Sequence, residues 1–269
     1  MNALERCFIR LRHHPILEKS PVWGIVRPFY DLAVTSIAHK NGLERILNGT
    51  DRIRIAPRWR GLQETYEPSV WGHLMSQVTG NDVIVDVGAF IGLYTIALAK
   101  RVGPPGHVVA FEPEPSTFAW LQRHVALNEV GNKVKLVCAA VGDQVGKIRF
   151  SEGLELQSHV AADGETGRAV TATTLDAEFP QERVDLLKID VEGYEEKVLL
   201  GGARLLKDVA RSPRMIYIEV HPYAWKELGT TGESLLGLLK EYGYRVSDLE
   251  GQPVQKIDRY GEIIARKNS

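Results

Sequence analysis

The sequence predicts a three-layer α/β fold, a mostly parallel sheet with helices on both faces, on three observations. Seven short apolar runs recur at 82–87, 107–112, 133–139, 184–190, 214–220, 244–248 and 260–266. Helical patterns fall between several of them, with Phe118, Leu121 and Val125 spaced along 115–128, a stretch at 193–206, and Leu235, Leu236, Leu238 and Leu239 within 232–242. Alternation of the two patterns is the mark of βαβ units. The first run, Val83-Ile84-Val85-Asp86-Val87, also ends on Gly88 and gives way at once to a helix opening through Ile91, Gly92, Tyr94 and Thr95.

The elements follow in order. The run at 82–87 is continuous rather than alternating, as expected of a strand buried on both faces. The next, at 107–112, ends on Glu112, twenty-four positions after Gly88. Pro115 suits the first turn of the helix at 115–128. Residues 141–183 break the rhythm: Gly142-Asp143 and Val145-Gly146 mark turns, Lys147 to Phe150 alternates like an edge strand, and 169–175 alternates again beyond a polar, glycine-rich 151–168. The last two runs are close enough to form a hairpin. Residues 1–65, cut by Pro15, Pro21, Pro28 and Pro57, read as a mostly helical appendage or lid, and 66–269 as the α/β domain.

Composition narrows the function. The 269 residues are 44% hydrophobic and 25% charged with net charge −1, so bulk electrostatics gives no case for nucleic acid. Two distant cysteines, Cys7 and Cys138, suggest a reducing compartment. With no 18-residue apolar segment and no signal-peptide core, a cytoplasmic location is expected. Residues 1–61 carry eleven Lys/Arg against five acids, an excess that is either a solvated face or a contact with a phosphorylated substrate or an anionic membrane surface.

The acidic residue at the tip of the second strand is placed to accept hydrogen bonds from a ribose diol. A dinucleotide would need a Gly-x-Gly-x-x-Gly turn to cradle pyrophosphate; here Gly88 and Gly92 bracket Ala89, Phe90 and Ile91, and Asp86 places negative charge nearby. That pattern suits a cationic, phosphate-free nucleoside, S-adenosylmethionine. A nicotinamide-dependent oxidoreductase and a non-catalytic binding domain are the alternatives.

Asp86-Val87-Gly88-Ala89-Phe90-Ile91-Gly92, Phe111-Glu112-Pro113, Ala139-Ala140-Val141-Gly142-Asp143, Lys188-Ile189-Asp190-Val191-Glu192-Gly193 and Ile218-Glu219-Val220 together resemble the FkbM-family methyltransferases of the class I S-adenosylmethionine-dependent superfamily. The resemblance runs over roughly residues 62–222, although the family commonly has a polar residue at the position of Phe90. It implies a Rossmann-like, seven-stranded sheet with an antiparallel last strand. It also implies methyl transfer to a hydroxyl of a saccharide, glycolipid or natural product, so that the partner is a small-molecule or glycan acceptor.

Individual roles follow. Gly88 is expected to bring backbone close to the cofactor, Asp86 to neutralise its ammonium, and Glu112 to hold the ribose. Asp143 either reaches the adenine amine or is an ordinary turn residue; Tyr66 either covers the cofactor or packs in the core. Lys188, Asp190 and Glu192 alternate along a strand and so share a face, with Glu219 and His221 repeating the arrangement on the next. Asp190 is read as touching both cofactor and acceptor, with Lys188, Glu192 and the loop residue His159 as acceptor contacts. Asp190, Glu219 and His221 are the candidate general bases. No metal is required by the spacing, but Asp190, Glu192, Glu219 and His221 could hold a divalent cation.

Overall fold

The computed structural model describes residues 40–151 and 167–268. Strands β1 (Leu43–Leu47) and β2 (Asp51–Ile55) lead into helix α1 (Pro68–Gln77). Then come β3 (Val83–Val87), α2 (Leu93–Arg101), β4 (His107–Phe111), α3 (Pro115–Leu127) and β5 (Val134–Val137). The short β6 (Ala140–Val141), β7 (Gly146–Ser151), β8 (Gly167–Thr173) and α4 (Leu175–Glu178) follow. The chain closes with β9 (Leu186–Ile189), α5 (Glu195–Leu200), α6 (Ala203–Lys207), β10 (Met215–Val220), α7 (Gly232–Glu241), β11 (Tyr244–Ser247) and β12 (Gly261–Lys267).

Seven of these strands form one sheet in the order β11-β12-β10-β9-β3-β4-β5, with β10, β9, β3, β4 and β5 parallel and β12 antiparallel to both its neighbours. The sheet has the predicted seven strands, mostly parallel, with the last strand antiparallel. Alternation along each strand divides the core between the two faces. Ile84, Val108, Leu186 and Met215 pack with α1, α2 and α3, while Val85, Val109, Leu187 and Ile216 pack with α5, α6 and α7. Residues 140–141, 146–151 and 167–173 build a separate three-stranded sheet, β6-β8-β7, which accounts for the interrupted rhythm.

The mostly helical reading of 1–65 fails for its described part. Residues 43–55 form an antiparallel hairpin, turned by Asn48 and Gly49, both at positive φ. Asn-Gly suits that turn because both central residues adopt the left-handed region at low cost. Leu47, Ile53 and Ile55 are fully buried. At about 1.5–3 kcal/mol each, their burial favours docking by several kcal/mol before ordering entropy, so the hairpin belongs to the core. Cys138, placed by sequence within an apolar strand, emerges exposed just beyond β5. No helix among the described residues is long and apolar enough to cross a membrane.

Candidate active site

The carboxyl ends of β3, β4, β9 and β10 open onto a cavity of about 380 Å³, walled on one side by Trp59, Leu62 and Tyr66. The turn after β3 forms its floor. Gly88 sits at φ +84, and its N–H and that of Ala89 both donate to the Phe111 carbonyl, at 3.0 and 2.9 Å. A Cβ at Gly88 would stand 1.7 Å from the Asp190 carbonyl oxygen. Glycine is therefore required first by the approach of β9, before any ligand is considered.

Glu112 lies at the cavity wall. The Phe90 N–H donates to its Oε2 at 3.0 Å and the Glu114 N–H to its Oε1 at 2.9 Å. Burial pushes this carboxyl up to about 7, against the pull of those two hydrogen bonds. Each oxygen keeps a lone pair for a further donor, which fits the diol of a ribose. Phe90, at φ +50, presents its ring edge-on to Trp59, 5.4 Å between centroids, and makes that wall aromatic.

Asp86 is elsewhere than expected. It is fully buried beneath the turn and does not line the cavity. The Thr95 hydroxyl donates to its Oδ2 at 2.6 Å, while Oδ1 has no hydrogen-bond partner among the described residues. Burial raises its pKa, with Lys188 opposing. The β3–β9 register sets Asp86 beside Lys188. Lys188, expected at the acceptor, is likewise buried: its Nζ lies 2.9 Å from Asp190 Oδ2 and 4.7 Å from the Tyr94 ring centroid. Burial works against its charge, but the Asp190 and Asp86 carboxylates outweigh it and hold the pKa above the ordinary lysine range. Lys188 thus pairs directly with Asp190, which reaches the cavity, and acts on the buried Asp86 through its charge alone.

Strand β9 ends at Ile189, so the predicted alternation stops before Glu192. A turn places that residue, at φ +50, followed by Gly193 at φ +106. The Tyr223 hydroxyl donates to Glu192 Oε2 at 2.7 Å. Glu219, at the end of β10, accepts from the Tyr260 hydroxyl; burial and then the Asp190 charge push its carboxyl up to about 7. His221 is only 2% exposed and stands behind the cavity wall, with Nδ1 2.6 Å from Glu195 Oε1. Burial lowers its pKa, but Glu195 outweighs that and raises it overall. Asp143 does not reach the cavity and pairs with Lys197 at 3.1 Å, the reading as a turn residue. Tyr66 does line it, clamped at both backbone polar groups by the Asn48 side chain. His159 lies outside the described residues.

Sequence reasoning missed Glu195, which also accepts from the Trp225 indole at 2.7 Å and the Gly193 N–H at 3.0 Å. It took Glu67 only as part of a Tyr66-Glu67-Pro68 segment closing over the cofactor, and assigned no role to Glu114. With those two the cavity wall carries Glu67, Glu112, Glu114, Asp190, Glu192 and Glu219, and among the described residues no Lys, Arg or His lines it.

Such a wall repels pyrophosphate and attracts a nucleoside that carries positive charge. Comparison with known proteins agrees. The methyltransferase FkbM domain matches residues 86–246, and the chain belongs to that family, whose cofactor is S-adenosylmethionine. The chain is 29% identical to methyltransferase sdnD of Sordaria araneosa over 47% of its own length and 62% of that protein's. It is 27% identical to hexuronic acid methyltransferase AglP of Haloferax volcanii over 61% and 66%. It is 26% identical to 31-O-demethyl-FK506 methyltransferase FkbM of Streptomyces tacrolimicus over 70% and 82%. The chain thus spans less than two thirds of sdnD.

Proposed function

We propose that this chain transfers a methyl group from S-adenosylmethionine to a hydroxyl oxygen of a saccharide, glycolipid or natural product. The observation that carries the reading is that every charged residue lining the cavity, among those described, is acidic. One relative is named for a hexuronic acid and another for the 31-O position of FK506, which favours an oxygen acceptor. The same charge disfavours a nucleic-acid acceptor at this cavity.

When bound, S-adenosylmethionine supplies a methyl on a positive sulfur: the oxygen–carbon bond forms as the carbon–sulfur bond breaks, and the electron pair stays on sulfur. Glu112 holds the ribose, and the aromatic wall of Phe90 and Trp59 takes the adenine. Glu67, Asp190 and Glu219 surround the opposite end. Glu219 is the residue to take the hydroxyl proton: it faces the cavity, whereas Asp190 is engaged by Lys188 and His221 stands behind the wall.

Calorimetry with S-adenosylhomocysteine and with NAD tests the cofactor half, and transfer of labelled methyl to a panel of hydroxylated acceptors tests the rest. Binding of the first ligand alone is expected. Glu219→Gln should keep that affinity and lower turnover by about 10²–10⁴-fold. Tight NAD binding, or undiminished turnover in the variant, would sink the corresponding half.

A further inference from the structure

His221 and the carboxylates around it form a cluster that methyl transfer alone does not require. Asp190, Glu192 and His221 each offer a ligand atom, all within 4.8 Å of one another. Glu219 adds a fourth donor, its Oε1 3.8 Å from His221 Nε2. The imidazole is fixed from behind: Nδ1 meets Glu195 Oε1 at 2.6 Å, and Glu195 is itself fully buried and held by Trp225 and the Gly193 N–H. That anchoring directs Nε2 into the gap between the carboxylates. It has no hydrogen-bond partner there among the described residues, and its nearest carboxylate oxygens stand 3.6 Å (Glu192) and 3.8 Å (Glu219) away.

We infer that Asp190, Glu192 and His221 bind one divalent cation of the manganese or magnesium type. Two arguments separate this from a self-sufficient ion-pair cluster. The gaps are too wide for hydrogen bonds but suit two ligand atoms about 2.1 Å from a shared ion. A buried carboxylate on the far nitrogen of a histidine is the partner that metal-binding imidazoles use, because it fixes ring orientation and raises the basicity of the coordinating nitrogen. Two carboxylates with one imidazole are a donor set for a hard-to-borderline ion.

Asp190 and Glu192 also line the cavity, so an ion held between them presents an open coordination position to it. Bound there, an acceptor hydroxyl becomes more acidic and is oriented, and Glu219 then takes its proton. The ion site rests on the side chains themselves; its part in activating the acceptor rests on the methyl-transfer reading.

The test titrates MnCl2 into the full chain, with and without S-adenosylhomocysteine, by calorimetry and by electron spin-echo spectroscopy. One saturable ion per chain is expected, with a nitrogen coupling from a single imidazole. Asp190→Asn and Glu192→Gln should each weaken binding by about 10-fold or more, and Glu195→Gln by roughly 10–100-fold through loss of imidazole orientation. His221→Gln should abolish the nitrogen coupling. Glu192→Gln, at a half-exposed side chain, keeps the test decisive if a buried variant unfolds. No saturable binding up to millimolar Mn²⁺ under either condition, or affinity unchanged in both carboxylate variants, overturns the inference. Failure with intact S-adenosylhomocysteine binding removes the ion and leaves the proposed reaction; ion binding without nucleoside binding does the reverse.

Discussion

The two ends of the cavity are built by different means. Around Gly88 and Glu112 the main chain does the positioning. The turn donates twice to the Phe111 carbonyl, and both Glu112 oxygens are held by backbone N–H groups of residues 90 and 114. Around Asp190, Glu192 and Glu219 side chains position one another, through Lys188, Tyr223 and Tyr260. Main-chain hydrogen bonds fix a geometry that most substitutions cannot alter. Side-chain networks can be retuned one residue at a time, which suits the end assigned to the acceptor in the proposed reaction. Where function tolerates change therefore differs within one cavity.

Four substitutions or conditions sharpen that contrast, the largest first. Lys188→Met removes the buried cation beside the fully buried Asp86 and the half-buried Asp190, so it should destabilise the fold by about 3–5 kcal/mol in denaturant unfolding. Adding Asp86→Asn should recover part of that loss; strict additivity of the two changes would show that the two charges are not coupled. Gly88→Ala should cost about 2–5 kcal/mol, from a left-handed φ and the overlap with the Asp190 carbonyl. A near-neutral result would mean that the turn can rearrange, and the main-chain end would lose its claim to rigidity.

Glu112→Gln should leave the fold intact and weaken S-adenosylhomocysteine binding by about 10–100-fold, since the ribose loses a charged acceptor. Unchanged affinity would take the ribose from Glu112. The smallest effect is on pH. Burial raises the Glu112 carboxyl from its ordinary 4.5 to about 7, and ribose hydroxyls donate to its charged form. Nucleoside affinity should thus rise several-fold as pH climbs through 7 and then flatten, a slope that Glu112→Gln abolishes. Stability runs the other way: the contribution of this raised carboxyl is complete below 4.5 and is lost as pH rises through about 7.

Contiguous signals were the legible ones. Each predicted strand run in the α/β domain contains an observed strand to within a residue or two; the central β3, β4 and β9 were the clearest, because a strand buried on both faces is written as a nearly unbroken apolar run. The Gly88–Glu112 pairing is equally local in its logic. The hairpin was legible too, since Asn48-Gly49 between alternating apolar and charged residues is a turn signal that the surrounding prolines obscured. Period-two logic correctly put Lys188 and Asp190 on one face, but it could not show that Lys188 is buried on a strand next to that of Asp86, a fact of strand order across the sheet. Glu195 was beyond reach. Its partners, His221 and Trp225, lie 26 and 30 positions away, and in sequence it is one more acid opening a helix.

The acidic charge around the cavity has a further consequence for the proposed cycle. Before transfer the sulfur is cationic; afterwards it is a neutral thioether, and one attraction to the wall has vanished. Six carboxyl groups line the cavity with no Lys, Arg or His beside them in the lining among the described residues, so the wall discriminates fresh donor from spent product and eases the exit of the latter.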